Sequence, residues 1–98
     1  MKAKTTKVEL EEQVVDFVRA LAPEPRKLLR RALKQLGQER GDLKQLEGEL
    51  AGYCRLRVRG YRVIIRFYVE RGRRVARCVF AERRSAVYEV FAEVLRQS

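Results

Sequence analysis

Between Tyr53 and Arg66 the chain alternates apolar and basic side chains on both sides of a single glycine: Tyr53-Cys54-Arg55-Leu56-Arg57-Val58-Arg59-Gly60-Tyr61-Arg62-Val63-Ile64-Ile65-Arg66. A repeat of two is the signature of a strand with one face buried, and a glycine between two such runs marks a β-hairpin. With Arg59-Gly60 as the turn, Val58 pairs with Tyr61, Leu56 with Val63 and Cys54 with Ile65, all on one face. The opposite face then sets Arg57 against Arg62 and Arg55 against Ile64. Arg71-Gly72 offers a second turn, which pairs Phe67 with Ala76, Ile65 with Cys78 and Val63 with Phe80. These six fall on the same face as the first set, so the two registers support each other. The other face gathers Arg57, Arg62, Arg66 and Arg77, with Ile64 and Val79 between them.

The flanking segments are helical. Leu10, Val14, Phe17, Val18 and Leu21 recur at helical spacing, with Glu11, Glu12, Asp16 and Arg19 on the other side. A short strand fits Lys7–Leu10, after the polar start Met1–Lys7. Ala22-Pro23-Glu24-Pro25 stops one helix and opens the next, since proline is accepted at a helix start and not inside one. Leu28, Leu29, Ala32, Leu33 and Leu36 form the second apolar stripe, which Gly37 or Gly41 closes. Leu43–Gly52 reads as a connector anchored by Leu43, Leu46 and Leu50. After Arg83-Arg84, Ser85 suits an N-cap, and Val87, Val90, Phe91, Val94 and Leu95 mark a last amphipathic helix. The expected fold class is α+β, a single domain over residues 1–98 in the order (β)ααβββα. A helical hairpin and a C-terminal helix would pack on one face of a small, mostly antiparallel sheet, leaving the arginines on the other.

Charge narrows the function. The 98 residues carry a net charge of +10. Residues 1–48 hold 11 basic and 8 acidic side chains, and residues 49–98 hold 12 and 5. Every basic residue of the second half is an arginine, whose planar fork suits phosphates. From Arg55 to Arg84 there are 11 arginines against two acids, Glu70 and Glu82. Exposed strand faces are often merely solvated, but they usually mix signs, because like charges directly across a sheet repel. Arg57 opposite Arg62 is unfavourable without an anion, and a field of this kind points to a polyanionic partner.

Other chemistries are excluded. Histidine is absent, which removes His-based catalytic pairs and most transition-metal sites. Cys54 and Cys78 are too few for a disulfide scaffold or a zinc site and read as core side chains. No Gly-rich phosphate loop, signal peptide or membrane-spanning run is visible, so a reducing cytoplasm is the expected compartment. No metal, small-molecule cofactor or membrane partner is expected. Tyr88, beside Arg83-Arg84, is a candidate for stacking on a base or for proton transfer at a ribose. Glu82, the acid inside the basic field, reads as the ion-pair partner of a neighbouring arginine.

The series Leu46-Glu47-Gly48, Leu50-Ala51-Gly52-Tyr53, Arg55-Leu56-Arg57-Val58, Gly60-Tyr61-Arg62-Val63-Ile64 and Arg83-Arg84-Ser85-Ala86-Val87-Tyr88 resembles the RelE/ParE superfamily of toxin–antitoxin toxins. The likeness spans roughly residues 8–95. It implies a toxin held inactive by a cognate antitoxin. It further implies a metal-independent endoribonuclease that cuts messenger RNA in the ribosomal A site. By position it assigns Arg62 to the scissile phosphate, Tyr88 to catalysis or stacking, and Arg55 and Arg57 to the RNA backbone; the reading of the arginine face adds Arg66, Arg77 and Arg84 as further phosphate contacts. The family's late-strand arginine falls on Glu82 here, so Arg83 is the candidate to replace it. Two readings stay open beside this one: a ParE-like, non-enzymatic inhibitor of DNA gyrase, and an RNA-binding module that does not cut.

Overall fold

In the computed structural model, residues 5–84 and 86–98 are described; Ser85 and its expected capping role lie outside them, as does the start of the chain through Lys4. The elements are β1 (Lys7–Leu10), α1 (Glu12–Ala20), α2 (Pro23–Gln35), β2 (Asp42–Gln45), β3 (Cys54–Val58), β4 (Tyr61–Glu70), β5 (Arg73–Arg83) and α3 (Val87–Gln97). The five strands form one sheet in the order β1-β5-β4-β3-β2. β1 runs parallel to β5 and the other pairings are antiparallel. The α+β class and the mostly antiparallel sheet are as the sequence suggests.

The first hairpin has the expected register, with Val58 on Tyr61, Leu56 on Val63, Cys54 on Ile65 and Arg57 on Arg62. The second hairpin keeps Phe67 on Ala76 and Ile65 on Cys78, but then shifts: Ile64 pairs with Phe80 and Val63 with Ala81. Val63 does not pair with Phe80. Val79 is the extra residue of a β-bulge, which exchanges the faces of everything after it. Arg71 at φ 52° and Gly72 at φ 74° make a turn with both central residues left-handed, the twist that a tight hairpin needs. Arg59 stands at φ 53° in the first turn, a conformation that costs a non-glycine residue ~1 kcal/mol.

Two apolar clusters follow, one on each face of the sheet. Val14, Val18, Leu29, Leu33 and Leu36 from α1 and α2 pack on Leu56, Val63, Ile65, Ala76, Cys78 and Ala81. On the opposite face Val87, Phe91 and Ala92 of α3 pack on Ile64, Phe80 and Leu50. The expectation that all three helices share one face is therefore corrected. α3 lies across the arginine face, because Ile64 and Phe80 would otherwise leave a large apolar patch there in water. Each such side chain contributes ~1.5–3 kcal/mol when fully buried.

Three local expectations change. Leu10 ends β1 and is not part of α1. The supposed connector contains a strand, β2, paired with β3, and a turn of 3₁₀-helix at Gly48–Leu50. Neither Gly37 nor Gly41 ends α2 in a left-handed conformation; after a 3₁₀ turn at Leu36–Gln38, Glu39 takes that role at φ 51°. Its carboxylate is held by Thr6 Oγ1 and Arg74 Nε, both at 2.6 Å. Gly41 follows at φ 130°, where a side chain is strained, and a Cβ there would also lie 2.7 Å from Leu56 Cδ1.

Candidate nucleic-acid interface

Strand alternation sends Arg55, Arg57 and Arg62 to the face opposite Leu56 and Val63. The turn after β5 brings in Arg84, whose amide N–H donates to the Gly60 carbonyl at 2.9 Å. The first turn of α3 brings in Tyr88, which is 38% exposed. These five line an open groove of about 740 Å³, completed by Lys44, Gln45, Leu46, Glu47 and Leu50. Leu46 and Leu50 supply an apolar floor under a cationic rim.

The arginines of this groove are held differently. Arg55 donates from Nη1 to the Asp42 carbonyl at 3.1 Å and to Asp42 Oδ1 at 3.2 Å, so β2 fixes its guanidinium. Arg62 donates from Nη1 to the carbonyls of Arg59 and Tyr61 at 2.7 and 2.8 Å. Those bonds use neutral acceptors, leave its charge uncompensated and tie it to the hairpin turn. Among the described residues Arg57 and Arg84 make no ion pair. Three cations without a carboxylate partner therefore face one groove, an arrangement that an anion stabilises.

The remaining candidates are not in this groove. The bulge places Glu82 opposite Arg62, and Arg83 opposite Tyr61. Tyr61 packs edge-on against Phe17 of α1, so Arg83 leaves the sheet on the α1/α2 side, away from Arg62. Glu82 makes no ion pair among the described residues; its Oε1 accepts the Arg83 N–H at 2.9 Å. Arg66 and Arg77 sit beyond α3, in a second hollow with Tyr53, Tyr68, Phe91 and Leu95. Arg77 is bound there by Glu9 and Glu11, each at 3.1 Å. Tyr68 donates its hydroxyl to Glu9 at 3.0 Å. This bond pulls the Glu9 carboxyl below its usual range and pushes the Tyr68 phenol up. Arg77 is thus occupied in holding β1 to the sheet.

Sequence reasoning missed Lys44 and Glu47 as groove residues. The available signal was β2 itself: once Asp42–Gln45 pairs with β3, Lys44 stands beside Arg55. The cysteines behave as core residues. Cys78 is buried, which pushes its thiol up to about 12, and burial also raises that of Cys54. The described residues hold no cluster of potential metal ligands. No helix among them is long and apolar enough to cross a membrane.

No protein-family model matches the sequence, and no curated protein matches it significantly. The likeness lies in solved structures. The chain is similar to the RelBE2 toxin–antitoxin complex of Mycobacterium tuberculosis, at 20% identity and TM-score 0.68 over 82% of this chain and 99% of that one. It is similar to the archaeal RelE–RelB complex of Pyrococcus horikoshii OT3, at 25% identity and TM-score 0.62 over 82% and 96%. It is also similar to the YoeB/ParE toxin of Agrobacterium tumefaciens, at 14% identity and TM-score 0.64 over 80% and 98%. In element order, sheet topology and these likenesses, the chain has the RelE-like fold of the RelE/ParE toxin superfamily.

Proposed function

We propose that this protein is the toxin of a toxin–antitoxin system and cleaves messenger RNA in the ribosomal A site without a metal. The observation that carries the reading is the convergence of Arg57, Arg62, Arg84 and Tyr88 on one groove, with no carboxylate paired to the arginines among the described residues. In the reaction, the 2′-oxygen of one nucleotide bonds to the adjacent phosphorus. The 2′-hydroxyl gives up its proton to solvent as it attacks, the P–O5′ bond breaks, and the 5′-oxygen takes a proton from solvent as it leaves, giving a 2′,3′-cyclic phosphate. Arg62 and Arg57 face the phosphorane and stabilise its added negative charge, which is typically the largest single catalytic contribution. Arg55 and Arg84 hold the flanking phosphates. Tyr88 offers its ring to a base and its hydroxyl to the ribose. Arg83 is replaced in this scheme by Arg84, and Arg66 and Arg77 lie outside it.

With no histidine in the chain to move a proton, the groove depends on its substrate being held in an attack-ready geometry. That supports a need for the ribosome, which supplies the alignment. The work would take place in the cytoplasm. The M. tuberculosis structure is a toxin–antitoxin complex and that of P. horikoshii a RelE–RelB complex, and this supports a cognate antitoxin as the partner here. Its binding segment would carry acids, to match the cationic rim, and apolar anchors for Leu46 and Leu50.

One observation favours the gyrase reading: the bulge puts Glu82, not an arginine, opposite Arg62. A coupled translation reaction and a gyrase supercoiling assay separate the two. Messages cut at A-site codons by the wild type, with the rate lowered about 10²–10³-fold by Arg62→Ala, is the expected result. Undisturbed translation with supercoiling stopped would establish the other reading.

A further inference from the structure

One acid stands among the cations of the groove. Glu47 lines it together with Lys44, Arg55, Arg57, Arg62 and Arg84. Other acids of this fold hold arginines: Asp42 holds Arg55, Glu39 holds Arg74, Glu9 and Glu11 hold Arg77, and Glu49 holds Arg96. Glu47 makes no ion pair among the described residues, although five cations share its groove. A negative charge in a groove for phosphates weakens every phosphate contact. It is favourable there only where the ligand brings hydrogen-bond donors to it.

The chain fixes this carboxylate on the groove that Tyr88 also lines. The Leu46 N–H donates to the Tyr53 carbonyl at 2.9 Å, and the Leu50 N–H donates to the Glu47 carbonyl at 3.2 Å. Leu50 is buried with Val87 and Phe91 of α3, and Leu46 packs against the same cluster. The segment that bears Glu47 is therefore packed against the helix whose first turn presents Tyr88. Both side chains are exposed. A base stacked on the Tyr88 ring keeps its edges free for the other side chains of the groove. The arginines and Lys44 can only donate, so they suit phosphates and leave the donors of a base unmet. Glu47 is the one groove side chain that can only accept.

We propose that Glu47 reads the base stacked on Tyr88 and selects guanine. The inference rests on the groove binding RNA, but not on its cutting. On its Watson–Crick edge guanine alone sets two donors side by side, N1–H and N2–H, and these match the two oxygens of a carboxylate. Adenine and cytosine set a ring acceptor beside their one amino donor, and uracil sets its one N–H between two carbonyls. Each of these brings an acceptor against a carboxylate oxygen, which leaves a pair of like partial charges where guanine has a hydrogen bond.

The test is fluorescence anisotropy of the full chain with labelled 2′-O-methyl uridine hexamers that carry one guanine, adenine, cytosine or inosine. The methyl group blocks the attacking oxygen, so base reading is measured apart from cutting. The guanine hexamer should bind about tenfold tighter than those with adenine or cytosine. Inosine, which lacks the 2-amino group, should fall between. Glu47→Gln presents one donor and one acceptor, the complement of adenine, and should reverse the order of guanine and adenine. Glu49→Gln removes the same charge from a residue that pairs with Arg96 outside the groove and should keep guanine first. Equal binding of all hexamers by the wild type, or an unchanged order in Glu47→Gln, would overturn the proposal. Messages with randomised A-site codons, translated with the same proteins, separate base reading from cleavage. Cuts that favour guanine in the wild type and adenine in Glu47→Gln support both. Guanine preference in binding without any cuts would keep the proposal and end the cleavage reading. A rate lowered equally at every codon by Glu47→Gln would make the carboxylate a proton acceptor and overturn the proposal.

Discussion

Gln13, in the first turn of α1, completes a sheet edge that β1 does not reach. β1 pairs with β5 only as far as Cys78. Beyond the bulge, the Gln13 amide donates from Nε2 to the Ala81 carbonyl at 2.8 Å and accepts the Ala81 N–H at 2.8 Å. Ala81 is fully buried, so Gln13→Ala would leave two backbone groups unpaired. The expected cost is about 1–3 kcal/mol, read as a lower urea midpoint with an unchanged m-value. Glu39 has a comparable local role. The Arg74 guanidinium, and after it the Thr6 hydroxyl, hold its carboxyl below the usual 4.5. A lowered folded-state value means that this group's stabilisation is complete above about pH 4.5 and is lost as pH falls through the lowered value. Thermal melts between pH 2 and 6 should show that acid limb in the wild type and a flatter one in Glu39→Gln. No signal for either role exists in the sequence, because both depend on partners more than 30 positions away.

Among the elements, β5 shows what a period of two reveals and what it conceals. From Cys54 to Phe67 apolar and basic residues alternate, so a shift by one would expose the core and the register is legible. From Cys78 to Ala81 four apolar residues follow one another. Either parity fits such a run, so the extra residue at Val79 leaves no trace, although it decides which of Glu82 and Arg83 lies opposite Arg62. β2 was hidden for a different reason. It is a four-residue edge strand with three exposed polar side chains, the form that edge strands take to avoid pairing with other chains. The side of the sheet on which α3 lies was open to inference: Ile64 and Val79 interrupt the arginine face and require cover. Ile64→Ala tests that packing. It should cost about 2–5 kcal/mol in chemical denaturation and raise hydrogen exchange in α3 more than in α1, because Ile64 belongs to the cluster under α3.

At the scale of the whole molecule, α3 divides the arginine face into two regions with different duties. On one side Arg57, Arg62, Arg84 and Tyr88 surround a groove, and these three arginines make no ion pair among the described residues. On the other, Arg77 is neutralised by Glu9 and Glu11 and holds β1 in place. The arginine face was therefore recognisable from composition and alternation as a set, but its division was not, since the pairing of Arg77 with Glu9 and Glu11 comes from the opposite end of the chain. The division also sets the salt response: cleavage through the groove should slow as salt screens its unpaired arginines. The most direct test uses purified ribosomes programmed with a defined message, mapping the ends produced by wild type, Arg62→Ala and Arg66→Ala. A groove that cuts RNA predicts breaks within the A-site codon that end in a 2′,3′-cyclic phosphate, lost with Arg62→Ala and retained with Arg66→Ala. An intact message with the wild-type protein, or equal loss in both variants, would contradict it.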